Sequence, residues 1–121
     1  MKFFNQTILH SEHTNGNCWA TCLACLLDLD KIPELDILNP AWWKLSEQIA
    51  NEKNFTLFEV PWYGGRFQSR YCIISGDSPR GSFKHSVIGK LHASEEKAWV
   101  EFIHDPHPDK SFITSVDYIT L

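Results

Sequence analysis

Three of the four cysteines in the chain lie in one short apolar stretch, at Cys18, Cys22 and Cys25. Two chemistries suit this C-x3-C-x2-C spacing: the thiolates could hold an iron–sulfur cluster, or Cys18 could act as a nucleophile. A cluster needs thiolates that converge from a loop, whereas a helix would spread Cys18 and Cys25 about 10 Å along its axis. Residues 18–27 are nearly all apolar, which predicts a helix buried on every side. The stretch therefore favours the nucleophile.

No metal or other cofactor is predicted for the rest of the chain. A radical-SAM barrel, which uses this cysteine spacing, needs far more than 121 residues. Zinc sites pair C-x2-C knuckles, which are absent, and Cys72 falls in a predicted strand. His104 and His107 have aspartates beside them, but two prolines stiffen that turn and no third ligand has a suitable spacing. Cys22 and Cys25 are therefore expected to be small core residues.

Cys18 stands at the predicted start of its helix, directly after Gly16 and Asn17. Unpaired N–H groups and the helix dipole favour a thiolate at such a position. The same N–H groups can stabilise an oxyanion. Asn15 or Asn17 is predicted to cap the helix by accepting a hydrogen bond from its first turn.

A nucleophilic cysteine needs a general base, and the base needs a group that orients it. His85 opens the apolar segment 85–91, and Asp105 follows the segment 98–103 in an Asp-Pro turn. Both segments are predicted strands, and adjacent antiparallel strands joined through 92–97 would bring the two side chains together. The sequence thus predicts a triad of Cys18, His85 and Asp105.

The elements that must hold these residues follow from hydrophobic periodicity and turn residues. Residues 2–9 are predicted to be a short extended segment, and 40–52 a second helix with Pro40 in its first turn. Strands are predicted after it at 55–60, 70–75, 85–91, 98–103 and near 112–120, with turns at 61–65, 77–81 and 105–109. Helices followed by antiparallel strands indicate an α+β fold.

Size and charge limit the function further. The 121 residues, 43% of them hydrophobic, are predicted to form one domain, 1–121. The net charge of −4 argues against a nucleic-acid duplex as partner, because no basic face is available to neutralise phosphates. The longest apolar run is far below the roughly 20 residues that span a bilayer, so no membrane partner is expected. Without a signal-peptide pattern, the cysteines are expected to be reduced thiols in the cytoplasm. The oligomeric state has no signature in the sequence.

Four motifs occur in order along the chain: Gly16-Asn17-Cys18, Ser75-Gly76-Asp77-Ser78-Pro79-Arg80-Gly81, His85-Ser86-Val87 and His104-Asp105-Pro106-His107-Pro108. With them the chain resembles the papain-like cysteine peptidase superfamily in its small compact form. Similar proteins there are the bacteriocin-processing domains of exporters and the NlpC-type cell-wall peptidases. The chain is still more similar to a group of small, often phage-encoded papain-like proteins of unassigned activity. The resemblance spans about residues 5 to 109, nearly the whole chain.

The resemblance implies a papain-like fold, in which an N-terminal helix carrying the cysteine packs on an antiparallel sheet carrying the histidine and the aspartate. It implies Cys18 as nucleophile, His85 as general base and acid, and Asp105 as the residue that orients the imidazole. For the oxyanion it implies Gln6 and Asn17, together with the backbone N–H of Cys18.

The oxyanion donor departs from the papain-like pattern. Such enzymes usually have a glutamine about five or six residues before the cysteine, where this chain has Glu12 and His13. Gln6 lies further upstream, so it can serve only if residues 10–16 loop out.

Four further residues are expected to contact substrate. Arg80 lies in the loop that leads to the predicted histidine, and its guanidinium group suits a carboxylate or a phosphate. Trp19 could form a wall of the cleft, and His104 and His107 flank the predicted aspartate. The expected partner is thus a peptide or a small anionic ligand.

Two functions from different classes remain open. The first is a thiol hydrolase that acts on an amide, peptide or isopeptide bond. The alternative is a papain-like scaffold, for example a phage counter-defence factor, that binds or cleaves a small anionic or nucleotide ligand through Arg80 and the neighbouring histidines. The order of cysteine, histidine and aspartate favours the first, and the missing upstream glutamine favours the second.

Overall fold

The structure is a computed structural model that describes residues 1–11, 16–61, 70–93 and 98–121. Within those residues, helices α1 (Cys18–Leu26) and α2 (Trp42–Glu52) precede five strands. The strands are β1 (Glu59–Pro61), β2 (Arg70–Asp77), β3 (Lys84–Ala93), β4 (Ala98–His104) and β5 (Tyr118–Thr120). They form one sheet in the order β1-β5-β2-β3-β4, and every pair is antiparallel. The α+β prediction is therefore confirmed.

The central strands β2 and β3 bury side chains on both faces of the sheet. Ile73 pairs with Ile88, and both belong to an apolar cluster that includes α1. The neighbouring pair, Ile74 and Val87, belongs to a second cluster formed with the C-terminal residues. Side chains of a strand alternate between the two faces, so a strand covered on both sides needs a continuous apolar run.

Helix α1 is buried from Cys18 to Cys25, as its apolar sequence predicts. It packs against β3 and β2, with Leu23 fully buried in the first cluster. Burying a leucine side chain of this kind stabilises the fold by about 1.5–3 kcal/mol. That packing fixes the start of α1, and therefore Cys18, relative to the sheet.

The second helix is predicted at 40–52, with Pro40 in its first turn. Helix α2 instead begins at Trp42, two residues later. A turn precedes it, in which the Asn39 side chain accepts a hydrogen bond from the Ala41 N–H at 3.0 Å. The backbone carbonyl of Asn39 also accepts a hydrogen bond from the Trp42 N–H at 2.9 Å. These local bonds hold Pro40 in the turn, outside the helix.

Three predicted strands differ from the observed ones. Residues 2–9 form no strand; isolated bonds hold this segment, such as Gln6 N–H to the Pro106 carbonyl at 2.9 Å. Of the segment 55–60, only 59–60 enter the sheet, in β1. The last strand is confined to Tyr118–Thr120, and Phe112, at the predicted start of that strand, has a φ angle of 61° that interrupts an extended chain.

Some predictions fall outside the described residues. They are Asn15 as a helix cap, Glu12 and His13 before the cysteine, most of the turn at 61–65 and most of the connection at 92–97. Across the described ranges, no helix has both the length and the apolar character that a membrane crossing requires.

Candidate active site

Asp105 directly follows β4 and is fully buried. Its Oδ1 lies 2.6 Å from His85 Nε2 and accepts a hydrogen bond from the His107 N–H at 2.9 Å. Its Oδ2 accepts from the Phe112 N–H at 2.7 Å. Burial alone would raise the pKa of this carboxyl group, but these hydrogen bonds and the charge of His85 hold it below its usual value. Asp105 is therefore a buried carboxylate that is fully engaged by donors.

The loop that follows Asp105 is shaped around its carboxylate. Lys110 and Phe112 both have left-handed backbone angles, which cost energy in residues with a side chain. The Phe112 N–H donates to the carboxylate, and the Lys110 ammonium group donates to the Asp105 carbonyl at 2.6 Å. Further on, the loop packs on Gly76, where a Cβ atom would lie 1.8 Å from the Ser115 carbonyl oxygen. The hydrogen bond from Phe112 to Asp105 thus offsets part of the energy cost of these left-handed backbone angles.

His85 lies near the start of β3, with only 3% of its surface exposed. Its Nε2 contacts Asp105, and its side chain also interacts with Cys18, which lines the same cavity. With Nε2 on the carboxylate, Nδ1 is the ring nitrogen left for the sulfur. Burial would lower the pKa of this imidazole, but the contacts with Asp105 and Cys18 outweigh it and raise the pKa to about 9. His85 is therefore protonated at neutral pH.

Cys18 is the first residue of α1, and the other three cysteines have different surroundings. All four are free, buried thiols. Burial raises the pKa of Cys22 and of Cys25, and it raises the pKa of Cys72 to about 12. Cys18 instead contacts the protonated imidazole of His85. The structure therefore brings the three predicted triad residues together.

Cys18 lies where two cavities meet. One, the polar cavity, has a volume of about 220 Å³ and is lined by Gln6, His10, Cys18, Arg80, Phe83, Lys84, His85 and His107. The other, the aromatic cavity, has a volume of about 240 Å³ and is lined by Cys18, Trp19, Ile37, Trp42, Ser75, Gly76, Ser86 and Tyr118, with Glu59, Lys84 and Asp117 as its charged residues. The thiol is thus accessible from two chemically different sides.

Gln6 reaches the polar cavity although it lies far upstream of Cys18. Its backbone N–H bonds to Pro106, and its side-chain Nε2 donates to the Ile8 carbonyl at 2.9 Å. Its Oε1 is buried and has no hydrogen-bond partner within the described part of the chain. The predicted proximity of Gln6 to the nucleophile is therefore found.

The prediction of Asn17 as a side-chain cap of α1 is wrong. It makes no capping hydrogen bond to α1. Its Oδ1 instead accepts from the Thr7 and Ile8 N–H groups at 3.1 and 3.0 Å, and its Nδ2 donates to the Thr7 hydroxyl at 2.9 Å. These bonds direct the Asn17 side chain to the N-terminal segment that carries Gln6, and Asn17 does not line the polar cavity.

Arg80 lines the polar cavity, with 18% of its side chain exposed. Its Nη1 donates to the Asp109 carboxylate at 2.9 Å and to the Ser111 hydroxyl at 2.7 Å, and lies 3.9 Å from Asp105 Oδ2. Its Nη2 is buried and has no hydrogen-bond partner among the described residues. Arg80 therefore stabilises the loop through Nη1, whereas its Nη2 makes no hydrogen bond with the described residues.

The two histidines that flank Asp105 have different positions. His107 lines the polar cavity, and its ring centroid lies 6.3 Å from that of His85. His104 instead bonds through Nε2 to the Phe4 carbonyl at 2.6 Å and packs against Phe3. His104 is thus held against the N-terminal segment, and the structure does not place it in the lining of the polar cavity with the other predicted residues.

Trp19 lines the aromatic cavity, as expected of a cleft wall. Its indole N–H donates to the Ser46 hydroxyl at 2.9 Å, and its ring packs edge-on against Trp42 at 5.3 Å. It is only 5% exposed, so it serves both the core and the cavity.

Two cleft residues were missed from the sequence. His10 and Phe83 stack with their ring centroids 3.7 Å apart, and both line the polar cavity. Phe83 is close to His85 in sequence, which could have indicated its position. His10 carries no such local signal, because its place depends on the path of the N-terminal segment.

Among the described residues, no group of three or more histidine, cysteine, aspartate or glutamate side chains is arranged to hold a metal ion. Comparison of the chain with models of known protein families, with curated proteins and with solved structures gave no match. The papain-like resemblance therefore stays a prediction, and function must be argued from the site itself.

Proposed function

We propose that this chain is a papain-like thiol hydrolase, in which Cys18, His85 and Asp105 act together on an amide, peptide or isopeptide bond. The observation that carries the proposal is one series of contacts. Asp105 Oδ1 lies 2.6 Å from His85 Nε2, and the same imidazole lines the polar cavity together with Cys18, which contributes to its raised pKa. Nucleophilic catalysis requires this order of nucleophile, base and orienting group. The four buried free thiols also suit a reducing compartment such as the cytoplasm.

In the first half of the proposed reaction, the Cys18 sulfur attacks the carbonyl carbon and forms a C–S bond. The carbonyl oxygen becomes an oxyanion. Protonated His85 then gives its proton to the leaving nitrogen, the C–N bond breaks, and an amine departs. A thioester remains on Cys18. Asp105 stabilises the positive form of the imidazole and keeps its Nδ1 directed at the reacting atoms.

In the second half, neutral His85 takes a proton from water, and the hydroxide attacks the thioester carbon. The C–S bond breaks with its electron pair on sulfur, which releases a carboxylic acid and returns the thiolate. For the oxyanion, Gln6 has a second amide hydrogen besides the one on Ile8. The first-turn N–H groups of α1 are further donors, because Asn17 does not cap them with its side chain.

The test is a peptide library incubated with the purified protein and read by mass spectrometry. Wild type should produce hydrolysed or deamidated products, and Cys18→Ala should produce none. Cys72→Ala is the matched control, because Cys72 is a buried cysteine outside the cleft and its loss should leave turnover in place. Equal products from wild type and Cys18→Ala would refute the proposal, as would the absence of any product.

A second candidate function is capture of a small anionic ligand in the polar cavity. The observation that favours it is the buried Nη2 of Arg80, which has no partner among the described residues. A carboxylate or phosphate oxygen would satisfy that nitrogen. Asp109 already neutralises part of the guanidinium charge at 2.9 Å, so we rank this function below hydrolysis.

A further inference from the structure

The aromatic cavity beside Cys18 has no role in the bond-breaking steps. Its volume is about 240 Å³, and the rings of Trp19, Trp42 and Tyr118 with the side chain of Ile37 provide most of its apolar wall. A dry cavity of about 150 Å³ is large enough to hold benzene. A phenyl-sized group therefore fits, whereas the volume is below the roughly 300–1,000 Å³ of sites for drug-sized ligands.

The direction of the proposed reaction decides which half of a substrate enters this cavity. The leaving nitrogen must take a proton from His85, so the leaving group lies on the side of the polar cavity that His85 lines. Gln6, the candidate oxyanion donor, lines the polar cavity as well. The group attached to the acyl carbon then faces the other side of Cys18, which is the aromatic cavity.

The charged residues at the edge of this cavity indicate which acyl groups it would accept. Lys84 donates hydrogen bonds to both Asp77 and Asp117, at 2.5 and 2.6 Å, so its positive charge is already balanced. Glu59 adds a further carboxylate to the lining. An acidic acyl group would meet like charges there, whereas an uncharged apolar group would not.

We propose that the aromatic cavity is the acyl-side specificity site, and that the substrate carries a bulky uncharged apolar group, of phenyl size, next to the scissile carbonyl. This inference rests on the proposed hydrolase function. It identifies Trp19 and Tyr118 as specificity residues, while the triad does the chemistry.

Two esters with the same leaving group test the site: 4-nitrophenyl acetate and 4-nitrophenyl 3-phenylpropanoate. In each, the Cys18 sulfur forms a thioester, the C–O bond breaks, and nitrophenolate leaves with the electron pair. Release of nitrophenolate gives the acylation rate, and mass spectrometry identifies the acylated cysteine. Cys18→Ala provides the background. Apolar pockets discriminate by roughly 10- to 200-fold, so the phenylpropanoate should acylate Cys18 at least about tenfold faster.

Tyr118→Ala should reduce that preference by about threefold or more, because it removes an exposed wall of the cavity. Tyr71→Ala is the matched control, since Tyr71 is an exposed tyrosine of β2 that lies outside the cavity. It should leave the preference unchanged. Equal acylation of Cys18 by both esters would overturn the acyl-side assignment while the hydrolase proposal stands.

A binding measurement separates this inference from the hydrolase proposal. In Cys18→Ser, 3-phenylpropanamide should shift the NMR signals of the Trp19 indole and the Ser86 amide, and acetamide should not. If neither ester acylates Cys18, the hydrolase proposal fails, and the amide still decides whether the cavity accepts a phenyl group. Absence of those shifts at millimolar amide would overturn the inference itself.

Discussion

The two cavities that meet at Cys18 have similar volumes but different linings. The polar cavity is surrounded by groups that are fixed by hydrogen bonds, such as Arg80 held by Asp109 and Ser111. The aromatic cavity is bounded mainly by rings that pack on the core, such as Trp19 against Trp42. Fixed dipoles can stabilise developing charge, whereas apolar walls select by size and shape. From this difference we infer that proton transfer takes place on the polar side of Cys18, and that the acyl group of the substrate is selected on the aromatic side.

The largest effect is expected from Asp105→Asn, which changes the polar side alone. An amide cannot accept hydrogen bonds at both ends, so it would meet a donor from His85, His107 or Phe112. Loss of the orienting carboxylate should lower turnover by about 10⁴-fold, by analogy with other triads. The unfolding free energy should fall by about 1–3 kcal/mol, because one buried donor loses its acceptor.

Steady-state kinetics and urea unfolding of Asp105→Asn measure these two effects. The ratio of rates with the two nitrophenyl esters should stay at its wild-type value, since the aromatic cavity is untouched. Wild-type turnover in this variant, or a changed ester ratio, would break the separation of the two cavities.

A smaller effect is expected from the pH dependence of stability. His85 has a folded pKa of about 9, above its unfolded value of about 6.5. Protonated His85 therefore stabilises the folded state fully below about pH 6.5, and this contribution to the unfolding free energy disappears as pH rises through the folded pKa. The contact with Cys18 contributes to the raised pKa of His85, so Cys18→Ser is used to isolate the part of the shift that comes from Asp105.

In Cys18→Ser, the unfolding free energy should fall between about pH 6.5 and pH 9. The full pKa shift of His85 corresponds to about 3 kcal/mol, which is the upper limit of this fall. The expected fall is smaller, because the variant lacks the contact with the thiol. Urea unfolding across this range measures it. Adding His85→Gln should flatten the curve, whereas adding His92→Gln, which changes a half-buried histidine outside both cavities, should not. A curve that rises with pH would show that His85 is not held in its charged form.

The smallest effect is expected from Arg80→Lys. Lysine keeps the charge but cannot bridge Asp109, Ser111 and a ligand together, so the unfolding free energy should fall by about 1 kcal/mol. Inorganic phosphate should bind about tenfold more weakly if the second candidate function holds. Calorimetric titration measures the binding, with Arg70→Lys, an exposed arginine of β2, as the control.

Cys18→Ser distinguishes the two functions in the same titration. Unchanged phosphate affinity together with lost hydrolysis would assign the polar cavity to both roles. Wild-type phosphate affinity in Arg80→Lys would remove Arg80 from ligand recognition and leave it as a residue that stabilises the loop.

The proximity of Cys18, His85 and Asp105 could be predicted because each of these residues has a local signature. Cys18 opens an apolar helix, His85 opens an apolar strand, and Asp105 occupies the turn that ends the next strand. Antiparallel neighbours then bring the last two together without any knowledge of the whole fold.

The positions of His104 and Asn17 could not be predicted, because they depend on contacts that no local pattern carries. His104 bonds to Phe4, which is 100 residues away in sequence, and Asn17 bonds to Thr7 and Ile8 instead of its own helix. Tyr118 joins the aromatic cavity because β5 inserts between β1 and β2, a non-local order that hydrophobic periodicity does not encode.

The most direct test of the central claim is alkylation of the folded protein by iodoacetamide over a range of pH, with the labelled cysteine identified by mass spectrometry. Protonated His85 should keep Cys18 reactive near pH 6, while Cys22, Cys25 and Cys72 stay unmodified because burial raises the pKa of each. His85→Gln should abolish labelling at that pH. Uniform labelling of all four cysteines, or labelling of Cys18 that is unchanged in His85→Gln, would contradict the account.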